Sequence, residues 1–299
     1  MHPFIQSVFT GIREDFGYPA SLVALLRSHP QIRVKPDAPA TNICAESVTH
    51  WHELGKSSGD EHGYLRGWRT VEGYHLEGIS IVRPEYSYMG RCEAAQNWTC
   101  DITDLHGFSA SKSELRTFES TDQMVEKNSR DMISEISLEK LRANLAHREI
   151  RIIHSPGIDH FTRYKWDGRL WLMNSGGSHH TAAAKYIAAR LKHPVPLSGT
   201  LYSYSLNASA VAGLCKDFRM FVINDEAEIH NAFVEAMRAF RATWLWHSMP
   251  RPYRKARAIL LPRNERRSMR VAEELATAGM WDLGKHLTDL AASRAMSPL

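Results

Sequence analysis

The chain has 299 residues, 43% of them apolar, and a formal charge of +4 set by 37 basic and 33 acidic side chains. That is the composition of a soluble globular protein, long enough to bury a sizeable core in one large or two moderate domains. No apolar run approaches the ~20 residues needed to cross a bilayer, and Met1-His2-Pro3-Phe4 does not begin a basic-then-apolar leader, so a cytoplasmic protein without a membrane partner is expected. Cys44, Cys92, Cys100 and Cys215 are widely separated with no Cys-x-x-Cys pair. A zinc knuckle or redox dithiol is therefore not written locally, and reduced thiols are expected.

Residues 1–130 carry the weakest periodicity. Residues 21–27 and 124–133 have helical spacing, and residues 74–82 alternate as a strand does. His50, His52 and His62, with Glu53, Asp60 and Glu61 nearby, are a donor set suited to zinc or iron. His-x-His can place two rings on one strand face, but no third ligand stands at a recognised distance, so no metal site is assigned. Gly55-Lys56-Ser57 has the ending of a phosphate-binding P-loop. The position five residues earlier is His50 rather than Gly, and no apolar strand precedes it, which excludes that motif.

The chain becomes legible after residue 130. Residues 136–145 read as a helix and residues 150–154 as a strand. Asp167-Gly168 then suits a two-residue hairpin between Phe161, Tyr164 and Trp166 on one side and Leu170, Trp171, Leu172 and Met173 on the other. Asn174-Ser175-Gly176-Gly177-Ser178-His179-His180 follows directly. Gly176 and Gly177 let a ligand approach the backbone, and Ser178 suits the N-cap of a helix whose apolar face is Ala183, Ala184, Ile187, Ala188 and Leu191. A helix start carries about half a positive charge and unsatisfied N–H groups, so phosphate is its natural partner, with His179 and His180 adding donors or moving a proton. The same residues also fit a strand-to-helix corner whose histidines only cap and pack.

This order of elements, closed by a strand at residues 200–206, resembles the ParB/sulfiredoxin-like superfamily over about seventy residues. Its members carry Gly-Gly-Cys-His-Arg or Gly-x-His-Arg at a helix start. Gly176, Gly177 and His179 match that motif, whereas Ser178 stands at the cysteine position and His180 at the arginine position. The resemblance implies an α/β (α+β) core of mixed sheet and helices, residues 131–206, between an N-terminal region, 1–130, and a C-terminal extension, 207–299. It implies a nucleoside triphosphate such as ATP or CTP, with Mg²⁺, held by Gly176, Gly177, Ser178 and His179. Without the cysteine, sulfinic-acid repair is excluded; without the arginine, the bidentate grip on phosphate is absent.

In the C-terminal third, residues 218–223 read as a buried strand, Asp225 as an N-cap, and Ile229, Phe233, Met237 and Phe240 as a helical stripe. A second cycle follows, with a strand at 258–261 and helices broken near Gly279. This βαβα pattern is expected to extend the central sheet. Residues 236–270 hold ten basic side chains and one acid, so the segment carries +9 where the whole chain carries +4, leaving −5 for the remainder. Arginines with Trp244, Trp246 and Tyr253 interleaved suit a polyanion, with Arg251, Arg254, Lys255 and Arg257 the candidates, although tryptophans are more often core.

Two functions follow. In the first, the Gly176 loop binds a nucleotide and carries phosphoryl transfer or nucleotide hydrolysis, with His179, His180 and Asp159 as catalytic groups. In the second, the protein is a nucleic-acid-binding module that uses the arginine-rich segment.

Overall fold

The computed structural model describes residues 10–55, 63–71 and 75–292. Met1 to Phe4, Lys56, Ser57, Asp60, Glu61, His62 and the first residue of the expected strand 74–82 lie outside the described residues. The chain is an α+β protein with two sheets, and it divides into two compact units.

One unit comprises residues 1–37, 50–90 and 206–299. Its sheet has six strands in the order β11-β8-β10-β9-β1-β2. They are β1 (Tyr64–Thr70), β2 (Leu76–Val82), β8 (Phe218–Asn224), β9 (Trp244–Ser248), β10 (Ala256–Pro262) and β11 (Trp281–Asp282), all paired antiparallel. Helices Ala20–Ser28, Ala227–Ala239 and Arg266–Thr277 bring Leu22, Phe233, Met237, Val271 and Leu275 into one core with Phe221, Trp244 and Ile259. The expected C-terminal strands and helices are present, but they do not extend the central sheet. They pair with β1 and β2 from the N-terminal region instead, through β9, whose Trp244 is fully buried. Asp225 is not a cap: Glu226 takes the N-cap position without a side-chain bond, and Asp225 pairs with Arg257.

The other unit comprises residues 38–49 and 91–205. It ends where the expected core ends but also takes in residues 38–49 and 91–130. Its sheet runs β3-β7-β5-β6-β4, with β3 (Gly90–Asp101), β4 (Leu105–Phe108), β5 (His160–Tyr164), β6 (Leu170–Met173) and β7 (Pro196–Leu206). The β5/β6 pair is the expected hairpin, and β5 pairs parallel with β7, as β4 does with β6. Helix Ser178–Leu191 makes the crossover between β6 and β7. Its buried Ala182, Ala183, Ala184, Ile187 and Ala188 let it lie close to Phe108, Phe161, Leu172 and Leu201.

Three local expectations change. Residues 150–154 do not form a strand: Arg151–His154 is one helical turn, closed by bonds from Ile153 and His154 N–H to the Ile150 carbonyl. The β-branched pair Ile152-Ile153 favours extended chain only beside a strand edge, and short-range bonds satisfy this backbone instead. The hairpin turn is longer than two residues, because Arg163 is opposite Leu170. Only Gly168 has positive φ, 78°, while the Asp167 carboxylate accepts from Arg169 and from the Trp171 indole N–H at 3.0 Å. Finally, Ser178 is the first helical residue and Gly177, at φ 70°, is the N-cap.

Since Ile187 is fully buried in this core, Ile187→Ala should lower the unfolding free energy by about 2–5 kcal/mol in a urea titration. Val82→Ala, at a half-exposed edge position, should stay within about 0.5 kcal/mol of the parent.

Candidate functional site

Two parallel strands end side by side, and the chain leaves both of them in small polar residues. After β4 comes Ser109-Ala110-Ser111-Lys112-Ser113; after β6 comes Asn174-Ser175-Gly176-Gly177. The buried Asn174 amide joins these loops. Its Oδ1 accepts the N–H groups of Ser109 and Ala110, each at 3.2 Å, and its Nδ2 donates to the Ala110 and Gly176 carbonyls at 2.9 and 2.8 Å. Both donors and both lone pairs of the amide are thereby used.

The two loops and two further segments enclose a pocket of about 750 Å³. The strand ends contribute Ala110 to Ser113 and Ser175 to His180; Asn128, Ser129 and Met132 close a second side, His147 and Glu149 a third. The pocket thus lies beyond the carboxyl ends of adjacent parallel strands, where α/β sheets hold their ligands. Gly176, Gly177, Ser178, His179 and His180, all expected from sequence, meet there.

Helix Ser178–Leu191 has fourteen residues and points its start at the pocket. Its first bond is from Thr181 N–H to the Gly177 carbonyl, 2.9 Å. Among the described residues nothing accepts from the backbone N–H groups of Gly176, Gly177, Ser178, His179 or His180. Gly177 is required twice over: its φ is left-handed, and a Cβ there would sit 2.5 Å from the Glu149 carbonyl oxygen. The Ser178 hydroxyl does not cap the helix; it donates to Ser111 Oγ at 2.9 Å.

The histidines differ. His179 has both ring nitrogens engaged, Nδ1 with Ser129 Oγ at 2.5 Å and Nε2 with Ser113 Oγ at 3.1 Å. His180 has one. Asn144 Nδ2 donates to the carbonyls of Met132 and Lys140, so its Oδ1 is the atom that faces His180 Nδ1 at 3.2 Å and accepts from it. The proton of a neutral His180 therefore resides on Nδ1, and Nε2 is the basic nitrogen. The His180 ring stacks on His147 with centroids 3.7 Å apart. Burial holds both rings below the usual histidine pKa, aided by Lys112 at His179 and by His147 at His180, where Glu149 partly opposes it.

Asp159 is 3% exposed and does not line the pocket. Its Oδ1 accepts from Ser175 N–H at 3.0 Å and from Ser175 Oγ at 2.8 Å, and Arg151 donates to the same hydroxyl. The expected catalytic carboxylate is thus a support beneath the loop. Ser111, Lys112, Ser113, Ser129, Asn144, His147 and Glu149 were missed. The one signal for part of them is a serine-rich run directly after Leu105-His106-Gly107-Phe108, a strand-to-polar-loop step like the one that marks Asn174.

The arginine-rich segment does not form a basic strip. Arg257 pairs with Asp225 at 2.7 Å and covers the Trp246 ring at 4.1 Å, and Arg251 reaches Glu53 at 3.2 Å. Arg238 pairs with Glu235, Arg241 with Asp15 and Arg270 with Glu273, while Arg263 and Arg267 donate to backbone carbonyls. Of the four candidates, Arg254 and Lys255 are exposed. Where no metal site was assigned, the described residues place one ligand atom each of His50, His52 and Glu53 within 4.8 Å of one another. The Arg251 guanidinium lies 3.3 Å from His50 Nδ1 and holds the same Glu53 oxygen, so a cation already occupies that carboxylate.

Fold and site together define an α+β protein with a polar pocket at a glycine-primed helix start. Residues 95–298 match the family model described as DUF6685, a family of unknown function, and the chain belongs to that family. Comparison with curated proteins and with solved structures gives no match. The whole pocket lies within the matched residues, and the His50 trio lies outside them. Among the described residues no helix is long and apolar enough to cross a membrane.

Asn174→Ala would orphan the Ala110 N–H and two carbonyls at the joint between the loops, while Ser109 N–H keeps its bond to the Leu172 carbonyl. It should cost at least about 1–3 kcal/mol in denaturant unfolding and loosen the pocket. A second prediction concerns pH. His106, His160, His179, His180, His230 and His286 are all held below 6.5, burial being the largest cause in each. The unfolded chain takes up these protons first as pH falls, so stability is full above about 6.5 and declines as pH drops toward the folded values. Thermal melts should show a lower midpoint at about pH 5 than at about pH 7.5; a flat response would contradict burial of neutral rings.

Proposed function

We propose that the pocket binds the phosphates of a nucleotide and carries phosphate-directed chemistry, either phosphoryl transfer or nucleotide hydrolysis. The observation that carries this reading is the run of five unengaged backbone N–H groups, Gly176 to His180, opening into a nucleotide-sized pocket that also holds the basic Nε2 of His180. An anion there gains the helix dipole, the N–H groups and the Lys112 ammonium. Ser111 Oγ accepts from Ser178 Oγ and from Ser113 N–H, which leaves its own proton to donate into the pocket.

The ParB/sulfiredoxin-like resemblance supports the same reading at the same residues. The hairpin, the Gly-Gly helix start and the following parallel strand agree with it; the helical turn at Arg151–His154 departs from it. In place of the absent motif arginine, Lys112 lines the pocket and Arg151 donates to the Ser175 hydroxyl in the loop. Glu149 is the acidic side chain on the wall. It suits a magnesium ion that arrives with a triphosphate, since such an ion needs few protein ligands. Neutral at pH 7, His180 takes a proton from the phosphoryl acceptor, water or a hydroxyl. The nucleic-acid reading has less to draw on, because Arg251 and Arg257 are paired with carboxylates and only Arg254 and Lys255 of its four residues are exposed.

Calorimetric titration of ATP, CTP, GTP and UTP with Mg²⁺ tests the proposal. One nucleotide should bind the parent protein, and a His179→Ala, His180→Ala double variant should lose that binding. Heat from none of the four would reduce the loop to a structural corner.

A further inference from the structure

Proton bookkeeping around His179 singles out one hydroxyl. Ser113 Oγ receives a hydrogen bond from Asn128 Nδ2 at 2.7 Å. In the tautomer that carries the ring proton on Nδ1, His179 Nε2 accepts the proton of Ser113 Oγ across 3.1 Å. The other nitrogen, Nδ1, carries the ring proton and gives it to Ser129 Oγ at 2.5 Å. A hydroxyl donating to an imidazole whose far side is held by a third group is the arrangement by which serine nucleophiles are activated, with a hydroxyl here in the orienting place. Ser113 and His179 line the same pocket as the unengaged N–H groups of Gly176 to His180, which are the donors that charge on a transferring phosphoryl group requires.

We infer that Ser113 is a catalytic nucleophile that forms a covalent seryl-phosphate intermediate, with His179 as its base and Ser129 and Asn128 as positioning residues. The inference rests on the reading of the pocket as a phosphate site. In the first step Ser113 Oγ forms a bond to the terminal phosphorus, the bond from that phosphorus to the bridging oxygen breaks, and the rest of the nucleotide leaves as a stabilised phosphate anion. The Ser113 proton passes to His179 Nε2. In the second step water attacks the seryl phosphate and gives its proton to His180 Nε2. The P–Oγ bond breaks, and Ser113 recovers its proton from His179. His180 then releases its proton to solvent, so the cycle consumes one water and both histidines end neutral. The division of labour follows the hydrogen bonds: His179 is committed to a serine, whereas His180 keeps an open Nε2 for water.

A fluorophosphonate probe tests this on the full chain without any nucleotide. Attack by Ser113 would form an irreversible P–O bond and expel fluoride, and peptide mass spectrometry would locate the adduct. The expected result is labelling at Ser113, with a rate that rises with pH through a midpoint below about 6.5 as His179 loses its proton. His179→Ala should slow labelling by roughly 10²-fold or more, whereas Ser129→Ala should shift the pH profile while leaving the adduct on Ser113. An adduct on Ser111 or Ser178, no adduct at all, or equal rates in the parent and His179→Ala would each overturn the assignment. Titrating the nucleotide into Ser113→Ala separates the two readings. Retained binding with no Ser113 adduct in the parent sinks the nucleophile alone; absent binding in the parent sinks the phosphate site itself.

Discussion

The site depends on the side-chain amide of Asn174. Two strands can end side by side without their loops having any fixed relation, because loop backbone is satisfied equally well by water. Four hydrogen bonds from one buried amide remove that freedom. They tie the backbone after β4 to the backbone after β6, and three of their partners, the Ala110 N–H and the Ala110 and Gly176 carbonyls, would otherwise lose their acceptor or donor in a half-buried position. Ser109 Oγ adds a bond to the Asn174 carbonyl. The consequence is that Ser111, Lys112 and Ser113 face the helix start at Ser178 in a defined register. Asp159 does for Ser175 what Asn174 does for the loop pair, and Gly177 permits the Glu149 backbone to approach the turn.

Electrostatics then sets the working state of the pocket. Burial holds both histidines below the usual imidazole pKa, so the positive character of the site comes from the helix start, Lys112 and Arg151. This separates two tasks that one arginine would have merged. Backbone N–H groups and Lys112 supply charge, while the imidazoles remain available to take protons. A guanidinium at position 180 would grip phosphate more firmly, but it could not act as a base.

How much of this could be read in the sequence follows from the range of the interactions involved. The Gly-Gly turn, the alanine-faced helix and the hairpin are local patterns, and each was legible because glycine, alanine spacing and alternating apolar residues have few alternative uses. The strand expected at residues 150–154 failed because β-branched residues report a preference that only a neighbouring strand can realise. Ser178 was misplaced by one position, since Gly177 in the left-handed region caps the helix without a side chain. Ser113, Ser129, Asn144 and His147 were illegible in principle. Their meaning lies in contacts with residues 33 to 66 positions away, and serine and asparagine are too common to mark such contacts alone. The most misleading signal was charge, because a count over residues 236–270 cannot include Glu53, Asp225 or Asp15, which lie elsewhere in the chain and take up Arg251, Arg257 and Arg241.

That last point bears on which part of the chain carries the function. The antiparallel unit uses many of its charged side chains against each other: Arg238, Arg241, Arg251, Arg257 and Arg270 are paired with carboxylates, and Arg263 and Arg267 are bonded to carbonyls, while Arg254 and Lys255 stay exposed. In the unit that contains the pocket the pattern is reversed at one place. Backbone donors from Gly176 to His180 are left unengaged, a lysine and a glutamate face the same space, and imidazoles are held neutral beside hydroxyls. Unsatisfied donors and desolvated bases both cost stability, and the wall of this one pocket gathers five such donors and two such imidazoles.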